Sequence, residues 1–286
     1  MRSDRAGRPW RRLIRDRSAL AGLVLIVFFI GLALFAQLFQ DPLLSDATQR
    51  LEPPSFEHLL GTDHLGRDNL ARTAHGARWS LGAAGFATLI VVVVGVALGA
   101  FSGYVGGWLD GILMRVVDVL MAFPGLLLAL VIVGVLGPGL EKALMALIVI
   151  GWVDYARVVR GLVLSLRERE FVLAARALGA SDFRIVIRHL LPNTIPTVIV
   201  LATLEIGQVI LAFAGLGFLG LGAVPPAPEW GATINEARNY LFLAPQLTLY
   251  PGTAILLAVL GFNLLGDGLR DAFDPKGPSG SSGKKN

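Results

Sequence analysis

Residues 79–109 read WSLGAAGFATLIVVVVGVALGAFSGYVGGWL and contain no Asp, Glu, Lys or Arg, and this stretch decides the fold class. A helix needs about 20 predominantly apolar residues to cross about 30 Å of hydrocarbon, so the run is long enough to span a membrane. Five further runs without a charged residue cover residues 19–40, 119–140, 190–204, 206–228 and 239–266. The pattern predicts an all-α, polytopic bundle of about six transmembrane helices.

The composition agrees with a membrane protein. Of the 286 residues, 54% are hydrophobic and 16% are charged, and the mean hydropathy is +0.66, whereas soluble domains carry about 25% charged residues. The chain has no cysteine, which excludes a disulfide framework, a thiolate metal site and a cysteine nucleophile. The first apolar run is too long for a signal-peptide core and no small-residue cleavage site follows it, so we expect a retained helix.

The fourth predicted span is the weakest, because Asp154 and Arg157 follow an uninterrupted apolar stretch that covers only residues 143–153. One turn apart on a helix, these two side chains could pair near the interface, which would lower the cost of placing them there. A re-entrant or interfacial segment is the alternative. The six predicted spans are Leu20–Phe39, Leu81–Tyr104, Ile112–Leu136, Leu140–Val159, Ile195–Leu221 and Leu247–Leu265.

The positive charges predict the orientation of the chain. Nineteen Lys and Arg residues fall on one side of the predicted spans and six on the other, and the side richer in these residues is usually cytoplasmic. We therefore expect both termini in the cytoplasm. The predicted segments are a basic leader at 1–18, a first transmembrane helix at 19–40, an external loop at 41–78, a transmembrane domain at 79–273 with a cytoplasmic loop at 161–193, and a disordered tail at 274–286.

Glycines are concentrated in the second and fifth predicted spans. Gly95, Gly99, Gly103 and Gly107 recur every four residues, so they lie nearly along one helix face and permit close approach by another helix. Four more glycines occur within residues 215–222, which predicts close packing or a bend there.

The most informative stretch of the predicted cytoplasmic loop is residues 167–193, REREFVLAARALGASDFRIVIRHLLPN. Its first half places apolar residues at i, i+3, i+4 and i+7, the spacing of one helix face. These residues are Phe171, Ala174, Ala175 and Leu178. Gly179 follows with the placement of a C-terminal helix cap, so the chain is predicted to turn sharply there.

A second short helix is predicted after Gly179, with Ser181 or Asp182 as its cap and Pro192 as its end. Its predicted apolar face consists of Phe183, Val186, Ile187 and Leu190. Two interpretations remain open: the helices lie in the membrane interface with basic faces toward anionic lipid, or the glycine turn is a rigid knob that docks on a cytoplasmic partner. Alanines on the first stripe favour docking, since a lipid-anchoring face is expected to carry bulkier side chains.

This loop resembles the cytoplasmic loop of bacterial ABC-importer permeases, whose core is Glu-Ala-Ala, three residues, Gly and a later Leu-Pro. The matching residues are Ala174, Ala175, Gly179, Leu191 and Pro192, while Leu173 stands in place of the Glu and His189 in place of an aliphatic residue. Arg188-His189 and four other segments resemble the dipeptide, oligopeptide and nickel branch of these permeases. The segments are residues 58–68 (HLLGTDHLGRD), 76–81 (GARWSL), 218–222 (FLGLG) and 263–271 (NLLGDGLRD), and the resemblance covers roughly residues 10–275.

The resemblance implies a type I ABC-importer permease that translocates short peptides across the cell inner membrane, with nickel complexes or another small solute as the alternative cargo. The implied partners are a second homologous permease, two cytoplasmic ATPases and an extracytoplasmic solute-binding protein, and no nucleic acid. The glycine knob would fit a groove on an ATPase, whose closure on ATP would rotate the helices between inward- and outward-facing states. The coupling residues so implied are Phe171, Ala174, Ala175, Leu178, Gly179, Ala180, Ser181 and Asp182.

Two further sets of residues are candidates for contact with the solute or the binding protein. Glu205, Gln208 and Phe213 are candidates for the translocation path, since an intramembrane carboxylate is a functional-site candidate by default. A packing role for Glu205 is the alternative, and relatives that resemble this chain often carry Glu where Phe213 stands. Glu229, Trp230, Asn235 and Tyr240 are predicted to form an external gate or binding-protein contact, with an interfacial aromatic anchor as the alternative.

Other functional classes lack their sequence patterns. No G-x-x-x-x-G-K-[ST] phosphate loop occurs, so ATP and Mg²⁺ are expected on partner ATPase chains and no cofactor on this one. No catalytic residue is predicted, because no Ser, His and carboxylate grouping has the context of a hydrolase. No metal site is predicted either, since the spacing of His58, His64, His75, Asp63 and Asp68 matches no standard ligand pattern. An ion-coupled secondary transporter would show matched internal halves, which are not evident, and a membrane anchor without transport would not need so elaborate a loop.

Overall fold

A computed structural model of the chain describes residues 12–273, and its regular structure there is helical apart from one isolated bridge between Thr62 and Asp68. The helices discussed below are α1 Arg17–Leu34, α2 Asn69–Val105, α3 Gly107–Met121, α4 Gly125–Leu136, α5 Leu140–Leu166, α6 Glu170–Ala177, α7 Asp182–Ile185, α8 Leu191–Phe218, α9 Trp230–Ala237 and α10 Gln246–Phe273. Most of the predicted leader and the predicted tail lie outside the described residues.

Several of these helices can cross a membrane. By length and composition α1, α2, α10 and the continuous segment Asp182–Phe218 qualify, and the bent pair α3 and α4 adds a fifth if it counts as one span. The remaining long helix, α5, has 27 residues, but Glu141 and Lys142 at its start and three charged residues from its middle onward, Asp154, Arg157 and Arg160, keep it from qualifying. It is held in the bundle by its packing against α2. The chain is thus a multi-pass, all-α membrane protein, in agreement with the predicted class.

The first predicted transmembrane helix, 19–40, is shorter in the structure. α1 begins at Arg17, one residue after Asp16, whose carboxylate accepts a hydrogen bond from the backbone N–H of Ser18 at 2.9 Å. The helix ends at Leu34, and a 3₁₀ turn at Ala36–Leu38 follows. α1 packs closely on α10, since a Cβ on Gly22 would lie 2.7 Å from the carbonyl oxygen of Gly261.

The glycine face of the second span packs on α5, as the four-residue spacing predicts. A Cβ on Gly95 would lie 2.4 Å from the Tyr155 Cβ, and one on Gly99 would lie 2.5 Å from the Ala156 carbonyl oxygen. A Cβ on Gly103 would likewise lie 2.8 Å from the Arg160 carbonyl oxygen. Gly107, the fourth glycine of the predicted series, makes no such contact. It lies beyond the end of α2, as the first residue of α3, and has a positive φ of 67°.

α2 extends ten residues into the segment predicted as external loop, 41–78. It begins at Asn69 because the Asp68 carboxylate caps it, accepting from the backbone N–H of Ala71 at 2.6 Å. A helix can continue beyond the apolar run wherever its polar side chains find partners, so the length of an uncharged run marks only the part inside hydrocarbon.

The third predicted span, Ile112–Leu136, is wrong as one continuous helix. α3 ends at Met121 and α4 begins at Gly125, and their axes differ by 88°. Pro124 lies between them and lacks the N–H that would continue the hydrogen-bond ladder, so the chain bends there.

Pro192 was predicted to end the second loop helix, and this prediction is wrong. One π-helical turn at Val186–Leu190 joins α7 to α8, and Pro192 falls in the first turn of α8, where its missing N–H is least needed. The Asn193 side chain donates to the His189 carbonyl oxygen at 2.6 Å, which provides a hydrogen bond for a backbone acceptor in the π turn. Local π turns and side-chain donors of this kind let helices contain proline in membranes.

Candidate functional site

The predicted docking knob is a helix–turn–helix that projects from the bundle. Phe171 and Leu178 are 43% and 88% exposed, and Phe183 just beyond the turn is 76% exposed. Of the eight predicted coupling residues, Ala175 and Ala180 are half-buried and the other six are exposed. Large apolar side chains that are exposed on so short an element are characteristic of an interaction surface.

Gly179 forms the corner of this knob with a φ of +79°, a conformation that residues with a Cβ rarely adopt. Its N–H donates to the Arg176 carbonyl oxygen at 3.0 Å, and the Ala180 N–H donates to the Ala175 carbonyl oxygen at 3.0 Å. These bonds close the end of α6 and direct the chain into α7. Ser181 takes the N-cap position of α7 as predicted, but its side chain makes no capping hydrogen bond.

The knob is anchored by three fully buried residues, Val172, Ile185 and Leu190. They pack with Val159 and Val163 of α5 in one apolar cluster. The predicted face of the second helix is therefore wrong in part, since Phe183 and Ile187 point outward. The π turn explains the shift, because it brings residues five apart, Ile185 and Leu190, onto one side.

A cavity of about 300 Å³ lies among α3, α4, α5 and α8 and contains two of the predicted path residues, Glu205 and Gln208. Asp154 of α5, which the sequence analysis paired with Arg157, lines the same cavity. The other lining residues are mostly apolar and include Phe123, Leu147 and Val209. Phe213 does not line this cavity, because it is fully buried in a separate apolar cluster with Ala129 and Val133.

The expected pairing of Asp154 with Arg157 is wrong. Arg157 makes an ion pair with Asp118 of α3 instead, and the partly exposed side chains of both residues lie at the edge of the bundle. Among residues 12–273, no Lys or Arg nitrogen lies within 4.0 Å of the Asp154 or Glu205 carboxylates. The cavity therefore presents two carboxylates without a neighbouring countercharge.

Two residues of the predicted external gate have an internal role in this conformation. Glu229 and Trp230 are both 0% exposed. The Glu229 carboxylate caps α9, accepting from the backbone N–H groups of Gly231 at 2.9 Å and Ala232 at 2.8 Å, and it also accepts from the Ser80 hydroxyl at 3.2 Å. Burial raises the pKa of Glu229, while these three hydrogen bonds oppose the shift.

The other two predicted gate residues are more accessible. The Asn235 side chain donates to the Phe218 carbonyl oxygen and so fastens α9 to the end of α8. Tyr240 stacks on His64 with ring centroids 4.7 Å apart, which joins the segment after α9 to the loop before α2. Of the four predicted gate residues, Asn235 and Tyr240 are therefore the two that are only half-buried.

A buried charge cluster that sequence analysis missed connects the loop before α2 to α9. The Arg67 guanidinium donates to Asp63 at 2.6 Å and also pairs with Glu236, and Arg72 pairs with the same Glu236 oxygen at 3.1 Å. Both arginines are at most 3% exposed. Residues 58–68 resemble a segment of the permease family, but their spacing gives no indication of Glu236, which lies 164 residues after Arg72.

Metal binding finds no support in this region. The His58 Nδ1 lies 2.8 Å from the Asp68 carboxylate, and the His58 Nε2 lies 3.2 Å from the Gln49 side-chain oxygen, so both ring nitrogens have protein partners. Within residues 12–273, no group of three or more His, Cys, Asp or Glu side chains could hold a metal ion.

Comparison with known proteins adds an independent observation. A family model described as the binding-protein-dependent transport system inner membrane component matches residues 95–276, and one described as the N-terminal transmembrane domain of oligopeptide transport permease C matches residues 7–54. The chain is 45% identical over 274 residues to the dipeptide transport system permease protein of Alkalihalophilus pseudofirmus, an alignment that covers 94% of this chain and 90% of that protein. It is 43% identical over 270 residues to the glutathione transport system permease protein of Pectobacterium atrosepticum, with 93% and 90% covered.

Proposed function

The chain belongs to the family of binding-protein-dependent transport system inner membrane components, and from this premise we propose that it is the permease subunit of an ATP-driven importer of short peptides. The named relatives transport a dipeptide or glutathione, itself a short peptide, and both align over nearly the whole chain. These relatives favour peptides over nickel complexes as the cargo.

One observation carries the proposal: the exposed glycine turn at the end of α6. Its apolar surface, led by Leu178 and Phe183, is anchored on the bundle but covered by nothing in residues 12–273. A groove on a cytoplasmic ATPase would cover it, and movement of the ATPase would then be passed to α5 and α8 through the buried anchor. ATP and Mg²⁺ would bind the ATPases, since this chain has no phosphate-binding loop.

The remaining partners follow from the same assembly. A second, homologous permease would complete the solute path, two ATPases would dock on the two glycine turns, and an extracytoplasmic binding protein would deliver the peptide. In this orientation both termini lie in the cytoplasm, which the excess of Lys and Arg on that side supports.

The cavity that contains Asp154, Glu205 and Gln208 is the part of the proposed path that belongs to this chain. Its apolar wall suits uncharged side chains of a peptide, and its two carboxylates favour the cationic amino terminus that every unblocked peptide carries. Charged groups at membrane depth are retained mainly where they face such cavities.

The first test uses the absence of cysteine from the chain, which allows Ser181→Cys to be cross-linked without background from this subunit. We expect a cross-link to the ATPase subunit in inner-membrane vesicles, and none from Asn239→Cys on the opposite side. A reagent added outside intact cells that labelled Ser181→Cys would contradict the proposed orientation.

The second test changes Gly179 to Val. Its Cβ would meet nothing within 4 Å in this chain, so within the chain the substitution acts through its positive φ, a strain of about 1–2 kcal/mol. We expect peptide uptake and stimulation of the ATPase to fall about fivefold or more, with normal membrane insertion. Gly161→Val, which also meets nothing within 4 Å but lies in regular helix, is the matched control. Uptake by this chain alone, driven by an ion gradient, would contradict the proposal.

A further inference from the structure

α2 is bonded at its carboxyl end to the glycine turn. Tyr104, the second-last residue of the helix, donates its hydroxyl hydrogen to the Asp182 carboxylate and accepts a hydrogen bond from Arg176 at 3.3 Å. The Arg176 guanidinium carbon also lies 6.0 Å from the centre of the Tyr104 ring. Arg176 and Asp182 stand on opposite sides of Gly179, so one tyrosine holds both arms of the turn.

The amino end of the same helix is bonded to the external segment that begins at Glu229. The Trp230 indole N–H donates to the Thr73 carbonyl oxygen at 3.0 Å, and the Ser80 hydroxyl donates to Glu229 at 3.2 Å. Gly76 leaves the space that the Trp230 ring fills, since a Cβ there would lie 2.5 Å from the Trp230 Cδ1. The start of α9 is therefore fastened to the first turns of α2 by two hydrogen bonds and by the seat of the Trp230 ring.

α2 is well suited to carry a displacement between these two ends. It is one unbroken helix of 37 residues without proline, which corresponds to about 55 Å at 1.5 Å per residue. The covalent route from the turn to the same external segment runs through the π turn at Val186–Leu190 and past Pro196 inside α8. Breaks of this kind let a helix bend, so the covalent route is the softer of the two.

We propose that Tyr104 is a positioning residue which transmits movement of the glycine turn through α2 to the external Trp230 segment. Tyr104 has this role only if the chain is the ATP-driven permease proposed above. The hydroxyl acts by holding Asp182 and Arg176 against α2, so a displacement of the turn draws the whole helix with it and changes the position of α9.

The test removes only the hydroxyl, with Tyr104→Phe, and measures a distant position. Asn239→Cys, an exposed site just beyond α9, carries a nitroxide, and the permease is assembled in nanodiscs with its ATPases after reactive cysteines have been removed from the partner subunits. We expect ATP to change the mobility of the nitroxide in the parent protein. Tyr104→Phe should reduce the peptide transported per ATP hydrolysed about fivefold, the scale of one lost hydrogen bond. The nitroxide response to ATP should fall in parallel.

Two further variants make the result specific. Tyr250→Phe removes a hydroxyl for which the described residues provide no hydrogen bond, so it should leave both readouts unchanged. Asp182→Ala removes the acceptor of the Tyr104 hydroxyl, so combining it with Tyr104→Phe should add little to either single effect.

The role of Tyr104 would be overturned if Tyr104→Phe kept the nitroxide response of the parent protein and transported as much peptide per ATP hydrolysed. Fully additive effects of the two substitutions would overturn it as well. If the parent protein hydrolysed and imported nothing with ATP, the proposed function itself would fail, and the role of Tyr104 would fail with it.

Discussion

At the residue scale, buried polar side chains hold the segment between α8 and α10 to the rest of the molecule. Glu229 is a fully buried carboxylate with three donors, and Trp230 beside it packs edge-on against Phe29 with ring centroids 5.7 Å apart. Gly217 of α8 leaves room for Glu229, because a Cβ there would lie 2.5 Å from the Glu229 Oε2. A buried polar group of this kind stabilises the fold only while all its partners are present.

Replacing Glu229 with Ala should therefore destabilise the protein. Two backbone N–H groups and the Ser80 hydroxyl would lose their acceptor in the interior, which costs about 1–3 kcal/mol. We expect a lower midpoint of thermal unfolding in detergent for Glu229→Ala and a smaller decrease for Glu229→Gln, which keeps one acceptor oxygen. Glu168→Ala, whose side chain is largely exposed, is the control. Equal midpoints for Glu229→Ala and Glu168→Ala would contradict the capping role.

At the element scale, the close packing of α2 on α5 is the contact that organises the bundle. Three glycines at four-residue spacing let the two backbones approach, and the same helices are joined near one end by Asp110, which pairs with Arg160 at 2.5 Å and also accepts from the Ser102 hydroxyl. Association of helices in lipid depends on such packing, because apolar burial gives little advantage when the solvent is itself apolar.

Gly95→Ala should consequently weaken the bundle. The added methyl group would lie 2.4 Å from the Tyr155 Cβ and 2.7 Å from the Trp152 carbonyl oxygen, and overpacking of this kind costs about 1–3 kcal/mol. Gly85→Ala on the same helix meets nothing within 4 Å and should be neutral or slightly stabilising. Thermal unfolding of the two variants in the same detergent checks the difference, and equal midpoints would mean that α2 and α5 do not pack as described.

At the scale of the whole molecule, the exposed glycine turn and the acidic cavity are joined through the same helices. α5 carries Asp154 in the cavity and Val159 and Val163 in the anchor of the turn, while α8 carries Glu205 and begins beside that anchor. A rotation that started at the turn would reach the cavity through both helices. The proposed energy input and the proposed solute path thus share two helices, α5 and α8.

Glu205→Gln should lower peptide transport without affecting docking of the ATPase. The loss of a carboxylate that faces a cationic group in an apolar cavity is expected to reduce uptake about tenfold, equivalent to about 1.4 kcal/mol. Asp154→Asn should act in the same direction, whereas Glu57→Gln in the exposed loop before α2 should have no effect. Uptake is measured in vesicles alongside the Ser181→Cys cross-link. Unchanged uptake in both cavity variants would remove this cavity from the path.

The sequence by itself determined the membrane environment, the helical class, the glycine contact of the second span and the sharp turn at Gly179, because uncharged run length, four-residue spacing and positive φ are local properties. Only the tertiary structure decided the partners of the charged residues, the bend at Pro124, the inclusion of Pro192 in the first turn of α8 and the burial of Glu229 and Trp230. The charge partners and the burial of Glu229 depend on residues that are remote in sequence: Arg157 meets Asp118, Arg72 meets Glu236 and Ser80 meets Glu229, and such pairs leave no periodic pattern. The two prolines act locally, but a proline can either bend the chain or fit into the first turn of a helix, and the packed structure decides which. A polar group in a membrane bundle is stable where it finds a partner, and the position of that partner is a property of the packed helices.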